Sequence, residues 1–583
     1  VQLAACATRL PEASLERRLA AQNALFEAMY EADLEASPEL ATAHGDYRFN
    51  DRLDDYSLAA ARRQNVADER FRARLKAIPP DGFPEQDRES RELLLALLQQ
   101  RLADHALREY EMPVDQMAGV HLDLADLPLA VPLDSVRHYD DYLARLRQIP
   151  RVLAQTREVL RAGVKDGLVP VRFLLEKVPV QCRAVIEENP FLLPVRDFPE
   201  GVPVAERQRL TAAISAVVTR EVLPAYEAFA RFVATEYAPR GRTTLAVTSL
   251  PAGERRYRNL IRSNTSQRDL TAEQIHAIGL REIARLEAEM SQLARREGFA
   301  DLASLRAALA TDRRYRATSA EQMVESFRER LARMQAKLPE LFGFIPDAPL
   351  SIEPVPEFQL GGSTHYLPGT PDGTRPGRIV VATADFAART LVDVEATAYH
   401  EGVPGHHLQL SVAQRLSGLP RFRQHLFETA YGEGWALYAE GLGKEVGLYQ
   451  DPMSDYGRLA SELFRAVRLV VDTGIHAKGW TREQVVEFFR QSGAVDEPTL
   501  QAETDRYIAW PGQALAYKMG QLKFRELRER AQTQLGPRFD VRRFHDTVLG
   551  GGVLTLDLLD ARVERWIAAE RAATPAALPA EPR

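Results

Sequence analysis

Only two cysteines, Cys6 and Cys182, stand in this chain of 583 residues, so no disulfide framework holds its fold. No apolar run approaches the roughly 18 residues that a membrane-spanning helix needs. No basic excess exists either: Lys and Arg number 75 against 82 for Asp and Glu, a net charge of −7. With no arginine-rich arm, that balance excludes nucleic acid as an electrostatic partner. The arginines interleave with Glu and Ala, as in 280–296 and 321–337, and read as solvated helix faces. There is no internal repeat, and the one biased tract is the Ala/Pro-rich tail 572–583, expected to fray as a flexible end.

What the chain has in abundance is helical patterning. It is 45% hydrophobic, enough for a large core in one or two lobes. Ala/Leu/Arg/Glu stretches with helical period fill 14–45, 51–77, 87–110, 137–165, 204–236 and 271–340. Thr271 with Gln274 reads as a capping box at a helix start. Pro239 and Gly241 mark a lobe boundary. The expected organisation is a linker at 1–13, an N-terminal helical lobe at 14–241, a second lobe at 242–571 and the tail. The first lobe is expected to form one wall of a groove.

Histidine is scarce, 12 in all, yet three fall in the segment His400-Glu401-Gly402-Val403-Pro404-Gly405-His406-His407. A zinc-peptidase helix places two His at i and i+4, both on one metal, with an adjacent Glu to activate water. Here i+4 is Pro404. On a straight helix i+6 lies about 9 Å along the axis, against about 6 Å for i+4. Pro404 lacks an N–H and collides with the carbonyl four residues back, which costs roughly 3 kcal/mol inside a helix. Together with Gly405 it predicts an unwound turn that returns His406, or alternatively His407, to the side of His400. Glu401 is then the general base.

A third metal ligand is expected from the apolar segment 427–440, which carries Glu428, Glu433 and Glu440. Buried carboxylates are costly unless paired or metal-bound. Glu433, between Gly432 and Gly434, suits close approach and is the expected ligand. Glu440, two turns further along the same face, is expected to orient a ligand histidine, and Glu428 to start a helix or pair.

The pattern H-E-x-x-P-G-H-H-L-Q followed by G-E-G-W-A-L-Y-A-E resembles the bacterial family known as DUF 885. More distantly it is similar to thimet oligopeptidase and angiotensin-converting enzyme. The resemblance runs from about Gly361 to Tyr517 and more diffusely beyond. It implies a mainly α, two-lobed, metallopeptidase-like fold with a groove between the lobes, one Zn²⁺ per chain, and short unfolded peptides as substrates.

Further residues complete the expectation. The segment 505–518, also similar to the family, offers Tyr517 or Tyr507 as oxyanion donor, helped by His476. Arg468, Asp472 and His476 share one helix face, and Arg468 with Gln513 is expected to bind substrate. The segment 360–383 reads as a β-hairpin beside the zinc helix. An exposed edge there, with His365 and Tyr366, is expected to pair with an extended substrate backbone.

Leu3-Ala4-Ala5-Cys6 resembles a lipobox, which implies a bacterial envelope protein, periplasmic and lipid-anchored through Cys6, with no other membrane contact. The expected activity is hydrolysis of peptide bonds by a zinc-activated water, zinc lowering its pKa to about 7. The alternatives are a zinc amidohydrolase acting on a non-peptide or modified-peptide amide, or a silent envelope binding protein. Endo- against exo-action and oligomeric state stay open.

Overall fold

Helix boundaries fall where the sequence places caps and breakers. The computed structural model describes residues 14–355, 363–370, 373, 375–384, 386–495 and 497–573. Cys6, the start of the expected hairpin at Leu360–Gly362, and the tail beyond Ala573 lie outside the described residues.

Ser14 caps the helix Leu15–Ala36, and Ser37 with Pro38 opens Pro38–Ala43. Ser57 caps Leu58–Lys76. The Thr271–Gln274 capping box is present at the head of Ala272–Arg296. The periodic stretch 271–340 is divided: Ala272–Arg296 is followed by Leu302–Thr311, Ala320–Gln335 and Leu338–Leu341. Asp301 and Ser319 restart the chain by accepting backbone N–H groups, satisfying donors that a helix start otherwise leaves unpaired.

The molecule is mainly helical with one small sheet. Strand β1 is Leu350–Pro354, β2 is His365–Leu367 and β3 is Gly377–Val381. β2 and β3 form the expected antiparallel hairpin, with Tyr366 opposite Ile379. The unanticipated strand is β1, which pairs parallel with β3 so that β3 is central.

The apolar cores do not divide as the expected 14–241 lobe would. One core gathers Val114, Leu146, Leu210, Phe229 and Tyr237 and reaches Ala238, at the expected boundary. But Leu25, Phe26, Leu93 and Leu98 join Tyr399, Trp435, Phe524 and Leu559 in another core. The helices Leu15–Ala36 and Glu85–Ala106 therefore pack with the C-terminal half. An amphipathic stripe shows that a helix must be covered; it does not show by which partner.

Five later helices frame the site. Val394–Glu401 and His406–Arg415 are the two motif helices. Thr429–Glu445 is the glutamate helix, Pro452–His476 the arginine helix and Leu515–Leu535 the tyrosine helix. The glutamate and tyrosine helices touch backbone to backbone: a Cβ on Gly434 would lie 2.4 Å from the Gly520 Cα.

Candidate metal centre

Pro404 and Gly405 do more than bulge a helix; they end one and begin another. The first motif helix stops at Glu401, the Val403–Pro404 peptide is cis, and the second starts at His406. The turn folds back on itself, with the Gly405 N–H donating to the Tyr399 carbonyl at 3.0 Å. A Cβ on Gly405 would sit 2.0 Å from the His400 carbonyl oxygen, so only glycine allows this return. Trp435, on the glutamate helix, fixes the turn from below: its Nε1–H donates to the Pro404 carbonyl at 2.9 Å.

The result places His400, His406 and Glu433 together, with one donor atom from each lying within 4.8 Å of the others. His400 Nε2 is 3.3 Å and His406 Nε2 3.5 Å from Glu433 Oε2. A tetrahedral zinc with arms of about 2.0–2.1 Å has ligand–ligand edges of about 3.3–3.4 Å. The two measured edges fit such an ion. The imidazole rings are nearly perpendicular, 4.9 Å between centroids.

The electrostatics favour positive charge at this point. Burial opposes a charged His400, but hydrogen bonds to Glu433 and Glu440 outweigh it and hold its pKa up at about 9. Burial likewise pushes Glu433 up, yet His400 and His406 keep its carboxyl well below the usual range. Glu440, buried, accepts from His400 Nδ1 at 2.9 Å. That bond fixes the tautomer and aims Nε2 at Glu433, the arrangement by which an outer carboxylate orients a metal-ligating histidine.

His407 faces the other way. Its Nδ1 accepts from the Tyr366 hydroxyl at 3.0 Å and its Nε2–H donates to the Ala348 carbonyl at 3.3 Å. Of the two neighbouring histidines, the one beside His400 is thus His406. Tyr366, expected to meet substrate, instead ties β2 to the motif turn. His365 is spent locally, its Nδ1–H donating to the Ser363 carbonyl at 2.8 Å. Glu428 caps the glutamate helix, accepting from the Tyr431 N–H at 2.7 Å and from the Ser266 hydroxyl.

Glu401 is the last residue of the first motif helix and makes no hydrogen bond or ion pair among the described residues. The two candidate tyrosines differ sharply. Tyr507 is buried, its hydroxyl donating to Glu503 and accepting from Arg468 Nε at 2.8 Å. Tyr517 makes no hydrogen bond among the described residues. It stands one turn before Gly520 on the tyrosine helix, where that helix meets the residue after Glu433.

Three expected helpers are committed elsewhere. His476 accepts from the Val247 N–H at 3.1 Å and donates to the Tyr507 carbonyl at 2.9 Å. Burial pushes its pKa down to about 3, so it is a neutral brace with no N–H left for an oxyanion. Arg468 pairs with Glu503 at 2.9 Å and is sandwiched by Phe464 and Tyr517 at 4.1 and 4.7 Å. Gln513 accepts from Arg506 at 2.9 Å. Side-chain spacing on the arginine helix could not reveal the partners of His476 and Arg468, because they come from other segments. The Trp435 clamp was also missed, although an indole in a Gly-Glu-Gly-Trp run is a visible signal.

Comparison with known proteins agrees with this architecture. A solved structure from Colwellia psychrerythraea matches with a TM-score of 0.90 and 26% identity, over 96% of this chain and 100% of its own. One from Shewanella oneidensis shares the fold, with a TM-score of 0.73 and 17% identity over 92% of this chain and 98% of its own. Both are described as a "putative lipoprotein". Among the described residues no helix is long and apolar enough to cross a membrane. No curated protein matches this chain. Residues 38–563 match the family described as "Bacterial protein of unknown function (DUF885)", and the chain belongs to that family.

Proposed function

We propose that the protein is a zinc metallopeptidase of the bacterial envelope. The observation that carries the reading is the convergence of His400, His406 and Glu433 at tetrahedral spacing, with Glu440 behind His400. The donor set, two imidazoles and one carboxylate, is one that catalytic zinc uses with a fourth position open. Bound there, zinc supplies Lewis acidity and an acidified water.

The chain's own residues supply the rest. The two histidines and Glu433 hold the ion, and Glu440 keeps the proton on His400 Nδ1. The Glu401 carboxylate, which has no hydrogen bond or ion pair among the described residues, takes the proton of the attacking water and returns it to the leaving amine nitrogen as the C–N bond breaks. The Tyr517 hydroxyl donates to the oxygen that gains charge. The resemblance to helical zinc peptidases and the lipoprotein neighbours support a peptide substrate and an envelope location, with Cys6 as the anchor.

The test is hydrolysis of a mixed pool of short peptides by the zinc-loaded protein, read by mass spectrometry, beside Glu401→Gln. Wild type cleaves, and the variant retains zinc while losing turnover by two orders of magnitude or more. Equal turnover by both proteins, or none by wild type, refutes the assignment.

A further inference from the structure

The loop 446–451 joins the glutamate helix to the arginine helix, and Tyr449 in it has an unfavourable backbone. Its φ is +57°, in the left-handed region, where the Cβ of an L-residue crowds the following carbonyl and a bulky side chain is an outlier. Such conformations persist only where the surroundings over-determine them, and they cluster at functional sites. Among the described residues, five non-glycine residues have positive φ: Arg108, Asn189, Ala252, Ser266 and Tyr449. Of the five, Tyr449 is the one that bonds to both the first motif helix and the glutamate helix.

The backbone N–H of Tyr449 donates to Glu395 Oε1 at 3.1 Å, and the Tyr399 hydroxyl donates to the same oxygen at 2.8 Å. Glu395 is buried in the first motif helix, and Tyr399 immediately precedes His400. The Tyr449 hydroxyl reaches the other helix and donates to the Glu440 carbonyl at 2.9 Å. Glu440 is the residue whose carboxylate accepts from His400 Nδ1. The Tyr399 and Tyr449 rings meet edge to face, 5.5 Å between centroids. The glutamate helix makes room for both: a Cβ on Gly443 would lie 2.6 Å from Tyr399 Cε2 and 2.9 Å from Tyr449 Cε2. A glycine inside a helix, a buried carboxylate and a left-handed tyrosine are each costly. All three occur where the helix of His400 meets the helix of Glu433 and Glu440. Apolar side chains of matching shape would join two helices without them.

We infer that Tyr449 is a positioning residue of the metal centre. It locks the spacing between the first motif helix and the glutamate helix, and so holds the Glu440 carboxylate where it aims His400 Nε2 at the metal. Its two bonds run to the two helices that supply His400 and Glu433, so a shift of one helix against the other lengthens at least one of them. The demand for such a lock comes from the metal: ligand distances tolerate only about 0.2 Å of error. The inference rests on the metal-centre reading.

The experiment measures zinc affinity by chelator competition on the full chain for wild type, Tyr449→Phe, Glu440→Ala and the double variant, with calorimetric melting of each zinc-free protein. Tyr449→Phe keeps the ring beside Gly443 and loses only the hydroxyl bond. It binds zinc about 3- to 10-fold more weakly, the scale of one hydrogen bond. Its zinc-free melting temperature falls by no more than about 3 °C. Glu440→Ala weakens zinc further, and adding Tyr449→Phe to it changes the affinity by less than about 1.5-fold, because the carboxylate through which Tyr449 acts is gone. Glu395→Gln keeps an acceptor of the same shape without its charge, and weakens zinc at least about twofold through the other bond. Unchanged zinc affinity in Tyr449→Phe, or in Glu395→Gln where Tyr449→Phe does not fold, overturns the inference and leaves the metal centre standing. An equal fold-loss with and without the Glu440 carboxylate also overturns it, since Tyr449 then only braces the fold. A folded wild-type chain that binds no zinc removes the metal-centre reading and this inference with it.

Discussion

Replacing Gly434 with alanine tests whether the glutamate helix is held in register with the metal site by its crossing partner. The added Cβ would lie 2.4 Å from the Gly520 Cα and 2.5 Å from its carbonyl carbon. Both are backbone atoms, so no side chain can swing aside. The helices must separate by about 1 Å to reach ordinary contact distance, and overpacking of this kind costs about 1–3 kcal/mol. Alanine returns up to about 1 kcal/mol of helix propensity. The net loss is therefore about 0–3 kcal/mol, a fall of at most a few degrees in melting temperature. The functional effect is larger. Glu433 is the neighbouring residue, and a metal site tolerates only about 0.2 Å of error in its ligands. Differential scanning calorimetry and zinc competition titration together read the outcome: a folded protein, slightly less stable, with zinc affinity reduced at least tenfold. A variant that gains stability and binds zinc as wild type does would show that the crossing does not hold Glu433 in place.

Other consequences follow from the same geometry. Glu440→Gln keeps the shape but removes the charge that orients His400, and zinc affinity falls by about 10- to 100-fold in a chelator competition; unchanged affinity would remove Glu440 from the site. Tyr517→Phe lowers kcat by about 10²- to 10³-fold with zinc content intact. Tyr507→Phe, which breaks the bonds to Glu503 and Arg468, instead lowers the melting temperature, so a larger kcat loss in Tyr507→Phe reverses the assignment. Burial holds His476 and His545 at about 3 in the folded chain, below the unfolded value of about 6.5. The unfolded state therefore takes up protons first, and stability is lost as pH falls from about 6.5 toward 3, by about 1.4 kcal/mol per unit for each histidine. Denaturant titrations at pH 7 and pH 5 check this, and a His545→Gln variant should show a flatter dependence.

The site was more legible than its surroundings. His400, Glu401 and His406 could be singled out because Pro404 stands where a straight zinc helix needs a ligand, and because Pro-Gly forces the chain to turn. Glu433 could be singled out because a carboxylate between two glycines in an apolar run has few other uses. The choice between His406 and His407 was not legible. It depends on Tyr366 and the Ala348 carbonyl, which claim both nitrogens of His407 from the sheet side. The same limit explains Arg468 and His476, which looked free in sequence and are engaged by Glu503 and by Val247 and Tyr507 from other segments. Strand β1 alternates Leu350, Ser351, Ile352 and Glu353 after the Pro346-Asp347-Ala348-Pro349 break, but so short a run does not reveal its parallel pairing with β3 across a long connection. Helix positions were readable from caps, as at Thr271, but the assignment of Leu15–Ala36 to the core around Trp435 was not.

The central claim is one zinc ion held by His400, His406 and Glu433. Zinc stoichiometry and affinity of wild type, measured beside His400→Ala, His406→Ala, His407→Ala and Glu433→Ala, test it most directly. The account predicts one zinc per wild-type chain, lost or weakened at least a hundredfold in the His400, His406 and Glu433 variants and kept in His407→Ala. No zinc bound by the folded wild type, or zinc lost with His407 and kept without His406, would contradict it.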